Sequence, residues 1–569
     1  MLLKNTQRLL KPFLLLSSIG AIAALIASST IEQPATSYIV SAKDFASLQQ
    51  SATTLNLSVS HQLPIIDALA IDLTEQQLTD LQQLVNVTVS LNQKVELSGW
   101  AKGKRRWQPK ATLTDVIDAT QAHNAGNFGG GVTIGFLDTG LDQLKGLSRD
   151  LYGYDKAWGT YDAVNNSIHN YDDEASGHGT HVASIAANSD FDIYGKIYGV
   201  APNAAIVGIK AFDREGKATY ADVIRGIDWA IKVKDQINLR VLNMSFSGQA
   251  RSNYWDDPLN QAVMKAWQAG IVVVASSGNR GPEPMTIGVP GNVPYIITVG
   301  AMTDNYTPGD TSDDKLASFS SAGPTAEAFV KPEIVAPGGH ISGLMSFDSQ
   351  LAVDHPEFHD GGRYFQMSGT SQATAVVSGV VALMLTDNPS LTPDQVKCRL
   401  IDSAHRAINA ESKLAYSVFQ QGAGVVNALD AISSNAYDCA NQGLDIAKDL
   451  SGEAHYWGPA NIDSAGNFYI EGLGDEYSWN ENNGVVDSDI LIWKNSLWSD
   501  ILIWKNSSII DASVWQNGFE TDILIWKNSV DTDILIWKNS LDSDILIWKN
   551  NLDSNQVTTI DVNSWVTPQ

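Results

Sequence analysis

The stretch Met367-Ser-Gly-Thr-Ser-Gln-Ala-Thr374 runs directly into an apolar segment of small residues that ends at Leu385. A serine near the start of a helix lies where backbone N–H groups are unpaired and the helix dipole is positive, so an oxyanion formed beside it is stabilised. Ser371 is therefore a candidate nucleophile. An ordinary Ser/Thr cap before a buried helix has the same appearance, so the interpretation depends on two earlier stretches.

The first of these is Asp138-Thr139-Gly140, which follows the buried-strand pattern Val132–Leu137. The pattern predicts a carboxylate at the C-terminal tip of a parallel strand, where open α/β sheets hold their ligands. An Asx turn after a strand would use the same residues.

The second is His178, which lies between Gly177 and Gly179 and is followed by a run of small residues. Glycines on both sides let the backbone approach a substrate closely. His178 and His181, three residues apart, could instead be metal ligands on one helix face, but no Glu lies between them at zincin spacing.

Asp138, His178 and Ser371 occur in the chain order of subtilisin. Four further stretches agree, and with them the chain resembles the subtilisin-like serine protease (subtilase) family over roughly residues 110–435. These stretches are Gly199–Pro202, Val241–Ser245, Ala317–Pro324 and Lys331–Gly338. The resemblance implies a doubly wound α/β fold with a mostly parallel sheet, and a serine endopeptidase that requires no cofactor.

The resemblance also implies roles for individual side chains. Ser371 would attack the peptide carbonyl, His178 would transfer the proton, and Asp138 would hold the imidazole tautomer. By similarity the Asn279 side chain would donate a hydrogen bond to the oxyanion. Asn279 could otherwise be a turn residue shortly before Gly281.

Two segments and one glycine are implied to line the pocket for the residue that precedes the cleaved bond. They are Ser245, Phe246, Ser247, Gly248, Ser276, Ser277, Gly278 and Gly288. A glycine at the floor is expected to leave room for a large apolar side chain, and Arg280 adds positive charge near the rim. The expected preference is therefore for large apolar residues over Lys or Arg.

The chain departs from the family pattern at two pocket positions and at two positions after Ser371. Phe246 and Ser247 replace the usual Leu-Gly, which leaves the pocket shape open, and Gln372 and Ala375 replace the usual Met and Pro. None of these changes touches a proton-transfer group.

Structural calcium is a further expectation from the resemblance. Asp190 and Asp192 lie in the loop 188–196, and family members often bind calcium near this position. Acidic side chains of a solvated loop are the alternative explanation.

The N-terminal region predicts export. A basic start, an apolar run over 13–27 and small residues after it are typical of a signal peptide, here residues 1–29, although an uncleaved membrane anchor is the alternative.

Residues 30–105 have the alternating strand and helix patterns of a small α+β module, and their length and placement resemble the inhibitor-like propeptide of the family. The basic segment 102–107 predicts an exposed linker that is open to proteolysis. In an oxidising compartment Cys398 and Cys439 are expected to form a disulfide, which would contribute about 3 to 4 kcal/mol.

The C-terminal region differs from the rest in composition. Residues 436–486 predict a linker or a small β extension. Residues 487–553 repeat Asp-Ile-Leu-Ile-Trp-Lys-Asn with a period of about eleven residues, which predicts a β-solenoid or a small β-array before a tail at 554–569. The copies begin at Asp489, Asp500, Asp522, Asp533 and Asp544. Surface adhesion, polymer or substrate binding, and sorting remain open roles.

The charge balance excludes some partners. With 37 basic and 63 acidic residues in 569, the net charge is −26, which disfavours nucleic acid and anionic membranes as partners.

Two function classes remain. One is a secreted, extracellular serine endopeptidase that is made as a zymogen, acts on proteins or peptides and is inhibited by its own propeptide. The other is a surface-binding or structural protein with an inactive subtilase domain, which would not require the complete set Asp138, His178, Asn279 and Ser371.

Overall fold

The computed structural model describes residues 35–97, 112–169, 175–408 and 413–479, except for 306, 308–310, 312, 471, 472 and 474–476, and four short strands beyond residue 491. The predicted signal peptide, the predicted linker at 102–107 and the tail lie outside the described residues. No described helix is both long and apolar enough to cross a membrane.

The described helices and strands alternate through the central part of the chain. The helices are α1 Phe45–Thr54, α2 Glu75–Leu84, α3 Leu113–Val116, α4 Ala119–Asn124, α5 Lys145–Ser148, α6 His178–Ala187, α7 Tyr220–Val233, α8 Pro258–Gln268, α9 Gln350–Asp354, α10 Thr370–Asp387, α11 Pro393–Asp402, α12 Val418–Gln421, α13 Ala428–Ser433 and α14 Ile446–Ser451. The strands up to residue 276 are β1 Thr36–Ser41, β2 Ser58–Leu63, β3 Ala68–Leu73, β4 Thr88–Leu91, β5 Lys94–Leu97, β6 Thr133–Asp138, β7 Ala157–Asp162, β8 Ser167–His169, β9 Ala205–Lys210, β10 Lys217–Thr219, β11 Leu239–Met244, β12 Phe246–Ser247 and β13 Val272–Ser276. The later strands are β14 Ile297–Thr303, β15 Lys315–Leu316, β16 Ile334–Pro337, β17 Ile341–Leu344, β18 Tyr364–Met367, β19 His405–Ile408, β20 Ala460–Ile462, β21 Phe468–Ile470, β22 Ile492–Asn495, β23 Asp522–Lys527, β24 Ile534–Asn539 and β25 Ile545–Lys549.

Nine of the described strands form one sheet with mostly parallel pairing. Its order is β15-β14-β13-β11-β6-β9-β7-β8, and β16 also pairs with β14. Within this sheet β15 pairs antiparallel with β14, and β8 pairs antiparallel with β7. The other pairs are parallel. The central strand β6 is buried along its whole length, as strands covered on both faces are. The predicted α/β fold with a mostly parallel sheet is confirmed.

The helix that follows the candidate nucleophile is buried on every side. All residues of α10 from Thr370 to Leu385 are buried, and α10 packs on α6 and on the sheet. A helix without a polar face belongs inside a protein. The small, apolar residues after Ser371 therefore make a central helix of the core.

Two elements differ from what their local sequence pattern predicts. The cap at Thr114 and the closing Gly126 predict one helix to Ala125, but the structure has two short helices, α3 and α4, because Asp118 between them has a left-handed backbone with φ 57°. Asp118 accepts a hydrogen bond from Asn427 Nδ2 at 2.7 Å, a tertiary contact that local periodicity cannot reveal. The alternation over residues 85–89 predicts a strand there, but the observed strand begins at Thr88.

The N-terminal module is a four-stranded antiparallel sheet in the order β2-β3-β1-β4, with α1 and α2. One face of the sheet carries Val40 and Ile71, which pack with Leu48 of α1 and Leu81 of α2. The alternate residues on the other face, such as Ile39, belong to the core of the main domain. The period of two along each strand thus gives the module a core of its own and a docking face.

The last strand of this module, β5, separates from the module and joins the main domain. It lies between β10 and β12 in a three-stranded antiparallel sheet. Glu96 pairs with Ser247, and Leu97 pairs with Phe246. The segment therefore runs along one of the predicted substrate-binding stretches.

The region after residue 435 is fastened to the main domain covalently and by a buried polar cluster. The predicted Cys398–Cys439 disulfide is present, with Cα atoms 5.2 Å apart, within the usual range. Asp449 of α14 is buried and accepts hydrogen bonds from Tyr254 and Tyr295 at 2.5 and 3.0 Å. The residues to 479 therefore form a packed extension that includes the hairpin β20–β21.

Four of the repeats contain described strands. The first, β22, pairs antiparallel with β19, and β23, β24 and β25 form an antiparallel meander in which Ile525 lies opposite Ile536. This pairing is an array of antiparallel strands, whereas a solenoid would stack them parallel. The architecture of the repeat region as a whole remains a prediction.

Candidate active site

Asp138 and His178 form a buried pair at the end of β6. His178 Nδ1 lies 2.8 Å from Asp138 Oδ1, and both side chains are at most 2% exposed. His178 begins α6, and Gly179 fits against β6 so closely that a Cβ there would lie 2.2 Å from the Gly140 carbonyl oxygen. The glycine beside His178 is therefore required for the close approach of α6 to the carboxylate.

Two hydrogen bonds fix the orientation of this pair. The Thr139 N–H donates to Asp138 Oδ1 at 2.8 Å, and the Gly179 N–H donates to Thr139 Oγ1 at 2.9 Å. Within the described residues His178 Nε2 is buried and has no hydrogen-bond partner. The imidazole is thus held by its Nδ1 side while the Nε2 side is left for another group.

Ser371 lies in the first turn of α10, after Gly369 at the N-cap. Its Oγ donates to the Ser245 carbonyl oxygen at 2.8 Å, and the Ser245 hydroxyl donates to the Ser371 carbonyl oxygen at 2.9 Å. Ser245 directly follows β11, so the structure brings the candidate nucleophile to the same edge of the sheet as Asp138. Rotation about one side-chain bond can turn the hydroxyl away from this carbonyl.

The Asn279 side chain is held in place by its amide oxygen. Its Oδ1 accepts hydrogen bonds from the Thr370 N–H and hydroxyl at 3.1 and 2.9 Å. The Nδ2 atom is buried and has no partner within the described residues. A buried donor without an acceptor is costly, and its position next to the start of α10 suits it to receive an oxyanion.

The predicted pocket residues are joined to one another by hydrogen bonds. The Ser276 hydroxyl donates to the Phe246 carbonyl oxygen at 2.8 Å, which links the stretch Ser245–Gly248 to the stretch Ser276–Gly278. The Gly288 N–H donates to the Ser277 carbonyl oxygen at 3.2 Å. Val289 exchanges two hydrogen bonds with Gly248, so the segment 288–289 contacts both stretches. That these stretches line a substrate pocket remains a prediction.

His181 has a structural position. It is fully buried, and its Nε2 lies 3.0 Å from the Phe365 carbonyl oxygen and its Nδ1 3.5 Å from Gln372 Nε2. Burial, and then the neighbouring His178, lower the pKa of His181 to about 3. Both ring nitrogens face protein atoms, so the alternative of a metal site on His178 and His181 finds no support among these contacts.

The acidic side chains of the loop after α6 contact protein groups. Asp190 Oδ2 lies 2.8 Å from Arg363 Nη1, and Asp192 Oδ1 accepts from the N–H groups of Tyr194 and Lys196 at 2.8 and 3.0 Å. Among the described residues no cluster of three His, Cys, Asp or Glu side chains could hold a metal. These contacts do not fit the oxygen cage that calcium prefers, and calcium binding by Asp190 and Asp192 remains an expectation from resemblance.

Comparison with known proteins agrees with this geometry. A family model described as the subtilase family matches residues 129–426, more than half of the chain. Serine protease AprX of Bacillus subtilis is 38% identical over 328 residues, which covers 56% of this chain and 71% of that protein. Subtilisin DY of Bacillus licheniformis is 34% identical over 291 residues, which covers 51% of this chain and 89% of that protein.

A solved structure agrees on the fold. Fervidolysin from Fervidobacterium pennivorans, a keratinolytic enzyme related to subtilisin, matches with a TM-score of 0.56 at 23% identity, over 72% of this chain and 62% of that one. The fold and the relatives together define a serine-type endopeptidase. The chain belongs to the subtilase family.

Several residues around the site were not singled out from the sequence. Thr139 and Thr370 hold the Asp138–His178 pair and Asn279, and β5 lies along the pocket wall. A threonine directly after a candidate acid or before a candidate serine was a usable signal. The position of β5 had no local signal, because its partners are more than a hundred residues away.

The buried, neutral His181 generates a prediction about acid stability. A folded pKa below the unfolded value means that unfolding takes up a proton between about pH 3 and 6.5, so stability falls as the pH falls through this range. His181→Gln, which retains a donor for Phe365, should remove this dependence. Both proteins would carry Ser371→Ala, and urea unfolding at several pH values would give their free energies of unfolding. Between pH 4 and 6 the free energy of unfolding should change less steeply with pH in the His181→Gln protein, by about 1.4 kcal/mol per pH unit. Equal slopes for the two proteins would contradict the assignment.

Proposed function

We propose that Asp138, His178 and Ser371 are the catalytic triad of this endopeptidase, that Asn279 is an oxyanion donor, and that the enzyme is secreted as a zymogen. The observation that carries the proposal is the buried Asp138–His178 hydrogen bond, which leaves Nε2 unpartnered within the described residues. Ser371 lies at the start of a buried helix and bonds to Ser245, which follows β11, the neighbour of β6.

The proposed reaction uses these groups in sequence. The Ser371 hydroxyl turns from the Ser245 carbonyl toward His178, loses its proton to Nε2, and forms a bond to the carbonyl carbon of the peptide. His178 then gives this proton to the leaving nitrogen as the C–N bond breaks, and an acyl-enzyme results. Water attacks the ester with His178 again as base, and Asp138 stays ionised and stabilises the imidazolium.

The oxyanion formed in both steps would take its hydrogen bonds from Asn279 Nδ2 and from the backbone at the start of α10. Thr370 orients Asn279 by holding its oxygen, which directs the nitrogen away from the helix. A donor that is fixed before the reaction needs no reorganisation in the transition state. The arrangement favours the active enzyme over the alternative of an inactive subtilase domain.

Ser371→Ala should abolish peptide hydrolysis and leave the fold intact, because the substitution removes only the nucleophilic oxygen. Hydrolysis of casein and labelling by a fluorophosphonate probe would measure this, and circular dichroism would check the fold. Retention of more than a trace of wild-type hydrolysis would exclude Ser371 as the nucleophile. Absence of labelling in processed wild type would support the inactive-domain alternative.

Asn279→Ala should lower kcat by about 10² to 10³ with little change in KM, because the donor acts mainly in the transition state. Asn279→Asp is the matched variant, since it keeps an oxygen for Thr370 and removes the donor. We expect kcat to fall for both. A change confined to KM would argue for a role in substrate binding.

The zymogen proposal is supported by the path of the chain through β5. Because β5 is antiparallel to β12, its last residue, Leu97, lies opposite Phe246, which directly follows Ser245, and the Ser245 carbonyl accepts from Ser371. A strand added along the cleft uses the same backbone groups as a bound peptide. With the module in place, His178 and Ser371 are at most 1% exposed, so a substrate has no free access to them.

Polar contacts that the sequence did not predict also hold the N-terminal module. The Tyr220 N–H donates to the Gln93 carbonyl oxygen at 2.7 Å, and the Ala221 N–H donates to Asn92 Oδ1 at 3.0 Å. His61 Nε2 lies 3.1 Å from Asp222 of α7. These contacts support an inhibitory and folding-assisting role for residues 30–105.

Active enzyme from culture medium should begin between residues 98 and 111, because removal of the module requires cleavage after β5. N-terminal sequencing would measure this, and the Ser371→Ala protein, which cannot process itself, should keep the module. A mature active chain that begins near Thr30 would contradict the proposal.

Export and the C-terminal region complete the proposal. The signal-like residues 1–29 and the Cys398–Cys439 disulfide support an extracellular location. We propose binding to a surface or polymer for the repeats at 487–553, on the basis of their identical, regularly spaced strands.

A further inference from the structure

The Ser247 side chain lies between two of the predicted pocket glycines, Gly278 and Gly288. A methyl group built on Gly288 would lie 2.0 Å from Ser247 Oγ and 3.3 Å from Ser247 Cβ. A methyl group built on Gly278, on the opposite wall, would lie 2.9 Å from the same Oγ and 3.4 Å from the same Cβ. Ser247 therefore occupies the space between Gly278 and Gly288.

We infer that Ser247 shortens the pocket for the residue that precedes the cleaved bond and makes the enzyme selective for small side chains there, such as Ala or Ser. This inference rests on the proposed function of Ser371 and of the two walls. It replaces the expectation, drawn from Gly288, of a preference for large apolar residues.

An aromatic ring placed between the two glycines would have to share that space with Ser247. A ring between two walls needs a contact distance of about 3.5 to 4.0 Å on each side. Rotation of the Ser247 side chain can move Oγ, but Cβ is fixed by the backbone and stays close to both glycines. The backbone of Ser247 is held on its C-terminal side, because it continues into Gly248, which exchanges two hydrogen bonds with Val289.

Other protein atoms also lie close to the two glycines. A methyl group on Gly288 would also lie 2.4 Å from the Gly248 carbonyl oxygen, and one on Gly278 would lie 3.0 Å from Ser321 Oγ. Glycine at 278 and 288 is thus needed to accommodate Ser247 and its neighbours, and does not by itself mean an open pocket. The selectivity for small side chains follows from Ser247, which lies between the two glycines.

The test compares two peptide p-nitroanilides that differ only in having Ala or Phe before the cleaved bond. Active sites of processed enzyme are first counted with a fluorophosphonate. Wild type should have the higher kcat/KM for the Ala peptide. Ser247→Gly should raise the ratio of kcat/KM for Phe over Ala at least about tenfold, the scale of discrimination by one side-chain group in a pocket.

Two further variants separate the explanations. Ser247→Ala removes Oγ and keeps Cβ, so its ratio should lie between those of wild type and Ser247→Gly. Ser451→Gly, an exposed serine at the end of α14, is the control and should leave the ratio unchanged.

A wild-type preference for Phe, or an unchanged ratio in both Ser247 variants, would overturn the inference while the enzyme remains active. If neither peptide is cleaved and the fluorophosphonate does not label wild type, the proposed function itself fails. The second variant keeps the test decisive if Ser247→Gly does not fold.

Discussion

The hydrogen bond between Asp138 and His178 is the contact on which the site depends. A carboxylate that is completely buried is tolerated only where hydrogen bonds compensate for lost hydration. Here the Thr139 N–H and the His178 ring both bond to Asp138 Oδ1, while the buried Oδ2 has no partner within the described residues. This requirement fixes the end of β6 against the start of α6, and explains why glycine is needed at 179, where a side chain would collide with the backbone of Gly140.

The other parts of the site are placed by the parallel sheet. The strands β6, β11 and β13 are neighbours, and their C-terminal ends lead to Asp138, Ser245 and Ser276. Parallel strands end at one edge, so residues far apart in the chain converge there. α10 then brings Ser371 to that edge, and the bonds of Thr370 to Asn279 and of Ser245 to Ser371 join it to both pocket walls.

The N-terminal module shows how one strand period serves two surfaces. Its sheet uses alternate residues for its own small core and for the surface that meets the main domain, so it can fold as a unit and still dock. The backbone pairs of β5 with β10 and β12 add polar specificity to this apolar contact. The proposed zymogen depends on this attachment, since β5 covers β12 until the chain is cleaved.

The sequence by itself determined the family and the mostly parallel α/β fold. It also singled out Asp138, His178 and Ser371 as candidates, because each lies in a local pattern of strand end, glycine or helix start that short-range physics dictates. The same reasoning predicted the pairing of the two cysteines, from a signal-like N-terminus. It could not predict the break at Asp118, the path of β5 or the partner of Asp190. These depend on contacts between residues a hundred or more positions apart, and such contacts leave no periodicity in the chain. The pocket is the clearest case: Gly288 suggested an open floor, and only the tertiary structure placed Ser247 in that space, since the free volume at a glycine depends on which distant side chain folds against it.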